Sequence, residues 1–361
     1  MREQGSDGKP SEPRSDSENQ YRKEKQMNTN EDKYTQFALC REMMETPDVM
    51  RRFKPEAAAP LAELVKGSPA IMVTGEGSSR LFPAKRARAA ALRKAGSIVP
   101  FTEGATQAME YDLSSFGVLG TSNSGRTREL VRLFKALKAA GHSKLAAVSA
   151  NAGTALEETS DASMVLGCGW ENAVAATKSV VEQAMVWQAV FAVLDGETFP
   201  EISKAADAVA AALSEPVPPE FSRAMADART IYFAGRNDGV AEELTLKTNE
   251  IVRKPSDFLE GTYAAHGIEE IMDKKDVVIL VNPFPEEEAK FKECLIDGVG
   301  NTVIAIADRD TLFPTLKIPS VEGWNEYIQL AAGWNLLVEA GIAAGINMDK
   351  TERARKVGNE I

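Results

Sequence analysis

The run Thr121-Ser122-Asn123-Ser124-Gly125-Arg126-Thr127 places four hydroxyl groups in the joint between an apolar stretch and an amphipathic one. Phe116-Gly117-Val118-Leu119-Gly120 ahead of it reads as a short buried strand, and Leu130, Leu133, Phe134 and Leu137 behind it recur as one face of a helix. A helix start leaves backbone N–H groups unpaired and presents the positive end of the helix dipole, so a Ser/Thr-rich turn there has the chemistry to hold a dianionic phosphate. The same residue types also serve as plain turn and N-cap residues that need no ligand. No lysine follows the glycine in the Gly-Lys-Ser/Thr manner, so a nucleotide P-loop is not supported. Gly75-x-Gly77 opens like a dinucleotide fingerprint, but Arg80 stands where the third glycine belongs. No acidic residue closes a second strand about 20 residues on, and Glu103 falls in a turn-like stretch.

The elements that must position such a turn follow from hydrophobic patterning. Strands are expected at 70–74, 116–120, 145–149, 164–166, 230–234, 277–281 and 302–306. Helices are expected after Ser79 through Leu92, behind the Ser-rich turn, from about Val174 to Leu194, from Val240 to Val252, and from about Tyr327 to Ala344. Three prolines within 216–219 break the chain between two similar halves. Strands alternating with helices imply parallel sheets covered on both faces, with ligands beyond the strands' C-terminal ends. The first thirty or so residues carry almost no apolar side chains and read as a disordered tail.

Composition narrows the function classes. At 361 residues and 43% hydrophobic content the chain can bury about two ordinary cores. A formal net charge of −11 disfavours nucleic-acid binding, yet leaves room for an anionic substrate in a locally positive pocket. Cys40, Cys168 and Cys294 are widely spaced and without histidine-rich neighbours, so neither disulfides nor a zinc site is indicated and a reduced cytoplasm is expected. No apolar stretch approaches the roughly 18 residues of a membrane span, and the N-terminus lacks a signal-peptide core.

Four local signatures together resemble the sugar isomerase (SIS) domain family, in particular the isomerase half of glucosamine-6-phosphate synthase and the related stand-alone deaminases. They are Gly77-Ser78-Ser79; Ser122 to Thr127, similar to a Ser-Gln-Ser-Gly-x-Ser/Thr phosphate loop; Glu171-Asn172-Ala173-Val174-Ala175-Ala176-Thr177-Lys178; and Gly235-Arg236-Asn237-Asp238 followed by Leu246-Lys247-Thr248-Asn249-Glu250-Ile251. The resemblance covers nearly everything from Tyr34 to Ile361. It implies an α/β fold of two tandem SIS domains, each a doubly wound parallel sheet flanked by helices. The divisions are a tail over 1–33, domains over 34–214 and 220–346, and an active-site tail over 347–361.

The resemblance also implies site residues. Substrate phosphate would be held by Ser78, Ser79, Ser122, Asn123, Ser124 and Thr127, with Val174 at the start of the long helix. Glu250 would carry the proton, His266 would act as acid/base at the family's spacing from it, and Lys247 and Lys356 would supply positive charge. Aldose–ketose interconversion asks for these three services: ring opening, proton movement between C1 and C2, and stabilisation of the enediolate or enamine. Without the resemblance, Lys247 and Glu250 read as a helical ion pair at i, i+3. His266 is followed by Gly267-Ile268 where the family has Gly-Pro, so a differently shaped loop is expected. The expected enzyme converts glucosamine 6-phosphate to fructose 6-phosphate and ammonia without metal or other cofactor, as a homodimer with shared sites. The alternatives are an aldose–ketose isomerase or fructosamine-6-phosphate deglycase on another 6-anionic sugar, including a 6-sulfonated one, and a non-catalytic sugar-phosphate sensor. The chain begins without the glutaminase's nucleophilic cysteine, so use of glutamine as the ammonia source is not expected.

Overall fold

Runs such as Ala70–Gly75 and Val277–Val281 are apolar on both faces, which suits central strands of a covered parallel sheet and not a half-exposed one. A computed structural model describes residues 26–353. It contains two five-stranded sheets in which every pairing is parallel. The first comprises β1 (Ala70–Gly75), β2 (Phe101–Gly104), β3 (Phe116–Thr121), β4 (Leu145–Ser149) and β5 (Ala162–Val165), in the order β2-β1-β3-β4-β5. The second comprises β6 (Ile231–Gly235), β7 (Ser256–Glu260), β8 (Val277–Val281), β9 (Thr302–Ala307) and β10 (Thr315–Lys317). Its order is β7-β6-β8-β9-β10, which repeats the first order strand for strand.

The helices used below are α1 (Ala38–Met44), α2 (Leu81–Arg93), α3 (Arg128–Ala139), α4 (Lys178–Asp195), α5 (Ser203–Ser214), α6 (Pro219–Asp227), α7 (Val240–Ile251) and α8 (Asn325–Ala343). Helix α3 is amphipathic and lays Leu130, Leu133 and Phe134 on the first sheet. Gly120 permits that contact, because a Cβ there would stand 2.6 Å from Phe134 Cζ. Helices α4 and α8 are buried on nearly every side, so neither shows a polar stripe. One apolar cluster runs through both halves and includes Phe82, Trp187, Trp324, Tyr327 and Trp334. The proline break separates α5 from α6 as expected, and Asn335 of α8 pins it by donating to the carbonyls of Ala212 (3.1 Å) and Glu215 (2.7 Å).

Three expectations need correction. Glu103 lies in strand β2, not in a turn; the edge strands β2, β7 and β10 are short and mixed in polarity, and leave no apolar run to read. The long helix begins at Lys178 instead of about Val174, because the Glu171 carboxylate accepts hydrogen bonds from Thr177 N (2.7 Å), Thr177 Oγ1 (3.1 Å) and Ser179 Oγ, holding 171–177 as a non-helical loop. Residues 26–33 are not tail: Met27 is fully buried, Asn28 Oδ1 accepts from the backbone N–H groups of Asn30 and Glu31, and a short helix starts at Asp32. A lone methionine among polar residues carries no periodicity from which this could be read. The remainder of the expected tail, and Lys356, lie outside the described residues.

Candidate active site

In a sheet of this order the strand connections diverge on either side of the first strand, which opens a crevice beyond the C-terminal ends of β1 and β3. Two turns lead into it, Gly77–Ser79 after β1 and 122–127 after β3. The second turn is tightly drawn. Gly125 has φ +67°, and a Cβ on it would meet Thr154 Oγ1 at 2.4 Å; its N–H donates to Ser122 Oγ at 3.0 Å. Ser122 is buried and shares a 2.7 Å hydrogen bond with Thr127 Oγ1. Thr127 is the residue before helix α3, yet its hydroxyl caps none of that helix's N–H groups. An ordinary N-cap threonine would do so, and here the first turn of a twelve-residue helix is left to an outside acceptor.

The other predicted phosphate residues gather at the same place. Ser124 Oγ accepts from Arg126 N at 3.2 Å, and Asn123 Nδ2 donates to Glu171 at 3.5 Å, which ties the turn to the loop carrying Val174. Ser79 Oγ accepts from buried Gln183 at 3.5 Å. Ser78 Oγ accepts from Lys247 Nζ at 2.7 Å, a contact from the second half of the chain into the first.

Lys247 is 1% exposed and also donates to Glu250 Oε2 at 2.7 Å. The pair sits on one face of α7, but it is not the exposed helical ion pair that bare spacing suggests. Desolvation works against the Lys247 charge; Glu250 and Glu243 outweigh it and hold the ammonium above the ordinary lysine value. Glu243 lies one turn earlier, fully buried and 3.4 Å from Lys247. Burial pushes its carboxyl up to about 7, with Lys247 opposing the shift. Glu243 was not among the residues expected from sequence, although its i, i+4 spacing to Lys247 was there to be read.

Beside Glu250 opens a cleft of about 570 Å³ whose lining includes Val174, Lys254, Met348 and Thr351. The structure therefore brings Val174 and Glu250 to one cavity. The chain after α8 returns over this cleft. Arg253, at the left-handed φ of 57°, donates to the carbonyls of Asn347 (2.9 Å) and Lys350 and pairs with Glu352. The described residues end at Arg353, which lines the same cleft.

His266 does not line this cleft. It closes a short 3-10 turn after β7, is exposed, and its Nε2 lies 3.1 Å from Lys290 Nζ. At the matching place in the second sheet, beyond β6 and β8, there is a small hollow lined by Gly235, Val281, Asn282 and Phe284. Arg236 donates to the Asn282 carbonyl and stacks 4.1 Å from the Phe284 ring, while Asp238 is held by Arg93 at 3.1 Å. No helix among the described residues is long and apolar enough to cross a membrane.

No family model and no curated protein matches the chain. Solved structures do. The C-terminal domain of glucosamine-fructose-6-phosphate aminotransferase from Francisella tularensis is similar at TM-score 0.70 and 18% identity, over 87% of this chain and 98% of that one. Tagatose-6-phosphate ketose/aldose isomerase from Escherichia coli is similar at TM-score 0.70 and 18% identity, over 87% and 95%. Glucosamine-6-phosphate deaminase from Thermotoga maritima is similar at TM-score 0.66 and 18% identity, over 90% and 98%. At such identities the likeness establishes the fold, and the chain has the fold of the sugar isomerase proteins that its motifs resemble.

Proposed function

We propose that the chain is a phosphosugar isomerase of the deaminating kind, releasing ammonia from glucosamine 6-phosphate and yielding fructose 6-phosphate. The observation that carries this reading is the pair of buried Lys247 and half-buried Glu250, joined at 2.7 Å, with Lys247 also donating to Ser78 in the turn after β1. This reading takes Glu250 as the proton carrier and Lys247 as its counter-ion, linked to the expected anion cradle through Ser78. In the proposed reaction the 6-phosphate rests on the 122–127 turn and the first turn of α3. The open-chain aldehyde presents C1 and C2 to Glu250, which takes the C2 proton while Lys247 balances the negative charge that develops on oxygen. Return of that proton to C1 leaves a C2 imine, and one water hydrolyses it to the ketone and ammonia.

His266 opens the ring from a neighbouring subunit in this reading; its exposure, away from the Glu250 cleft of its own chain, is what supports a homodimer with shared sites. Lys356 completes the charge from the active-site tail over 347–361, whose described part already lines the cleft. Residues 34–214 and 220–346 are taken as tandem copies of one SIS unit, supported by the repeated strand order. In this reading the first copy supplies the crevice that is used, while at the second Arg236 donates to the Asn282 carbonyl and stacks on Phe284.

An aldose–ketose isomerase is the second reading, favoured by the similarity to the tagatose-6-phosphate enzyme, and it uses the same groups without loss of nitrogen. The test is ammonia release from glucosamine 6-phosphate, run beside aldose and ketose 6-phosphates, a 6-sulfonated sugar and fructosamine 6-phosphates. Ammonia with fructose 6-phosphate supports the first reading. Isomerisation without ammonia supports the second, and binding without turnover on every substrate leaves a sugar-phosphate sensor.

A further inference from the structure

The Glu250 cleft is lined by the end of α7 with residues 253–255, and by two further walls from distant parts of the chain, Val174 of the 171–177 loop and the segment 348–353 after α8. Helix α1 touches both, each time through a carboxylate gripping a pair of adjacent backbone N–H groups. Glu42 of α1 accepts from Asn172 N at 2.5 Å with one oxygen and from Ala173 N at 3.1 Å with the other. In the opposite sense, Asp349 accepts from Ala38 N at 2.5 Å and Leu39 N at 3.0 Å, satisfying two orphan donors at the start of α1. Just past the end of α1, Glu45 pairs with Lys178 at 2.5 Å, where the loop becomes helix α4.

We propose that Glu42 is a positioning residue, and that α1 is a bracket fixing the Val174 wall of the cleft relative to the wall formed by 347–353. Both carboxylates hold backbone, so neither role depends on which side chains line the cleft. The chemistry at position 42 is strict. Two converging N–H groups need two acceptors in one plane, which a carboxylate has and a carboxamide lacks. Glutamine would match one N–H and turn its own NH2 toward the other. Glu42 is 4% exposed, and burial raises its carboxyl above the usual range against the pull of the two N–H groups. The group is buried near Glu171 and Lys178, and each of its oxygens is taken by one of these two bonds. The neighbouring 171–177 loop also carries Glu171, which reaches the phosphate turn through Asn123, so a shift of this wall is felt at the anion cradle.

The inference that the bracket serves catalysis rests on the function proposed above; the bracket itself is measured without substrate. In residue-resolved amide hydrogen exchange on the full chain, E42Q should speed exchange about tenfold at 172–174 and also across 347–353, with β8 unchanged. D349N should do the reverse, loosening 172–174 as well as residues 38–39. Acceleration that stays with each variant's own N–H pair overturns the bracket. In kinetics, E42Q should raise KM for the 6-phosphosugar about tenfold with kcat held within about twofold, because Glu250 is fixed from α7 and not from the loop. E42D, shorter but with two acceptors, should recover part of that loss. A fall in kcat at unchanged KM overturns the positioning role. If the wild type turns over no phosphosugar, it is the function reading that fails, and the exchange arm still decides the bracket.

Discussion

Replacing Lys247 by methionine keeps the length and apolar stem of the side chain and removes its charge, so packing is largely spared. What is lost is the counter-ion between Glu243 and Glu250 and the bond to Ser78. Breaking a buried ion pair from one side costs about 3–5 kcal/mol of stability, because the remaining charge has no partner. Here the cost concentrates on Glu243, which is fully buried, whereas the Glu250 side chain is 28% exposed and water can take over part of its charge. The lower end, about 3 kcal/mol, is therefore expected at about pH 8.5. The pH dependence has a definite sign. Glu243 stands at about 7 in the folded chain against an ordinary 4.5, so across that window the folded state holds a proton that the unfolded state has released, and stability from this group falls as pH rises. Without Lys247 the folded value moves higher still and the window widens upward. Urea unfolding at about pH 5.5 and 8.5, with slopes compared between variant and wild type, reads this directly. The K247M loss should be large at the higher pH and shrink to roughly half or less at the lower one. A K247M chain as stable as wild type at pH 8.5, or equally weakened at both pH values, would refute Lys247 as the counter-ion that holds buried Glu243.

Glu250→Gln keeps shape but cannot take a carbon-bound proton, so kcat should fall by roughly two to four orders of magnitude with KM nearly unchanged. Solvent deuterium should enter the product at C1 or C2 with the wild type and not with this variant; near-wild-type turnover moves the proton carrier elsewhere. Ser124→Ala combined with Thr127→Ala should weaken binding of the 6-phosphate by about 1–3 kcal/mol, measured by titration calorimetry, and unchanged affinity removes the turn from the site. Mixing inactive Glu250→Gln and His266→Asn chains should restore part of the activity if sites are shared across a dimer, and light scattering should find no active monomer at assay concentration.

The central strands and the Ser-rich turn were legible because each depends on local residues: an unbroken apolar run, or hydroxyls packed at a helix start. Strands β2, β7 and β10 were not, since an edge strand is held by its neighbour's backbone and needs no apolar run of its own. The Lys247–Glu250 spacing was visible, but not its depth. Burial of Lys247 comes from a contact with Ser78 in the other half, and no window of sequence contains both. The loop 171–177 looked like helix because Val174-Ala175-Ala176 has helical composition, while the force that unwinds it is the single Glu171 carboxylate collecting three donors. Met27 is the inverse case, one apolar side chain that joins the core cluster with only polar residues beside it in sequence.

The hydrogen bond from Lys247 to Ser78 also dates the birth of the site in the life of the chain. All residues of the first sheet and its Ser-rich turn precede α7 in the chain, so synthesis delivers the proposed anion cradle before the proposed base. Only when α7 docks does Lys247 leave water, and only then is Glu250 held in place. On the proposed function, recovery of activity on refolding times docking of α7 against the first half, and phosphate protection of the 122–127 turn tests whether that turn forms earlier. The interval between those two signals measures how long the chain exists as a binder before it becomes a catalyst.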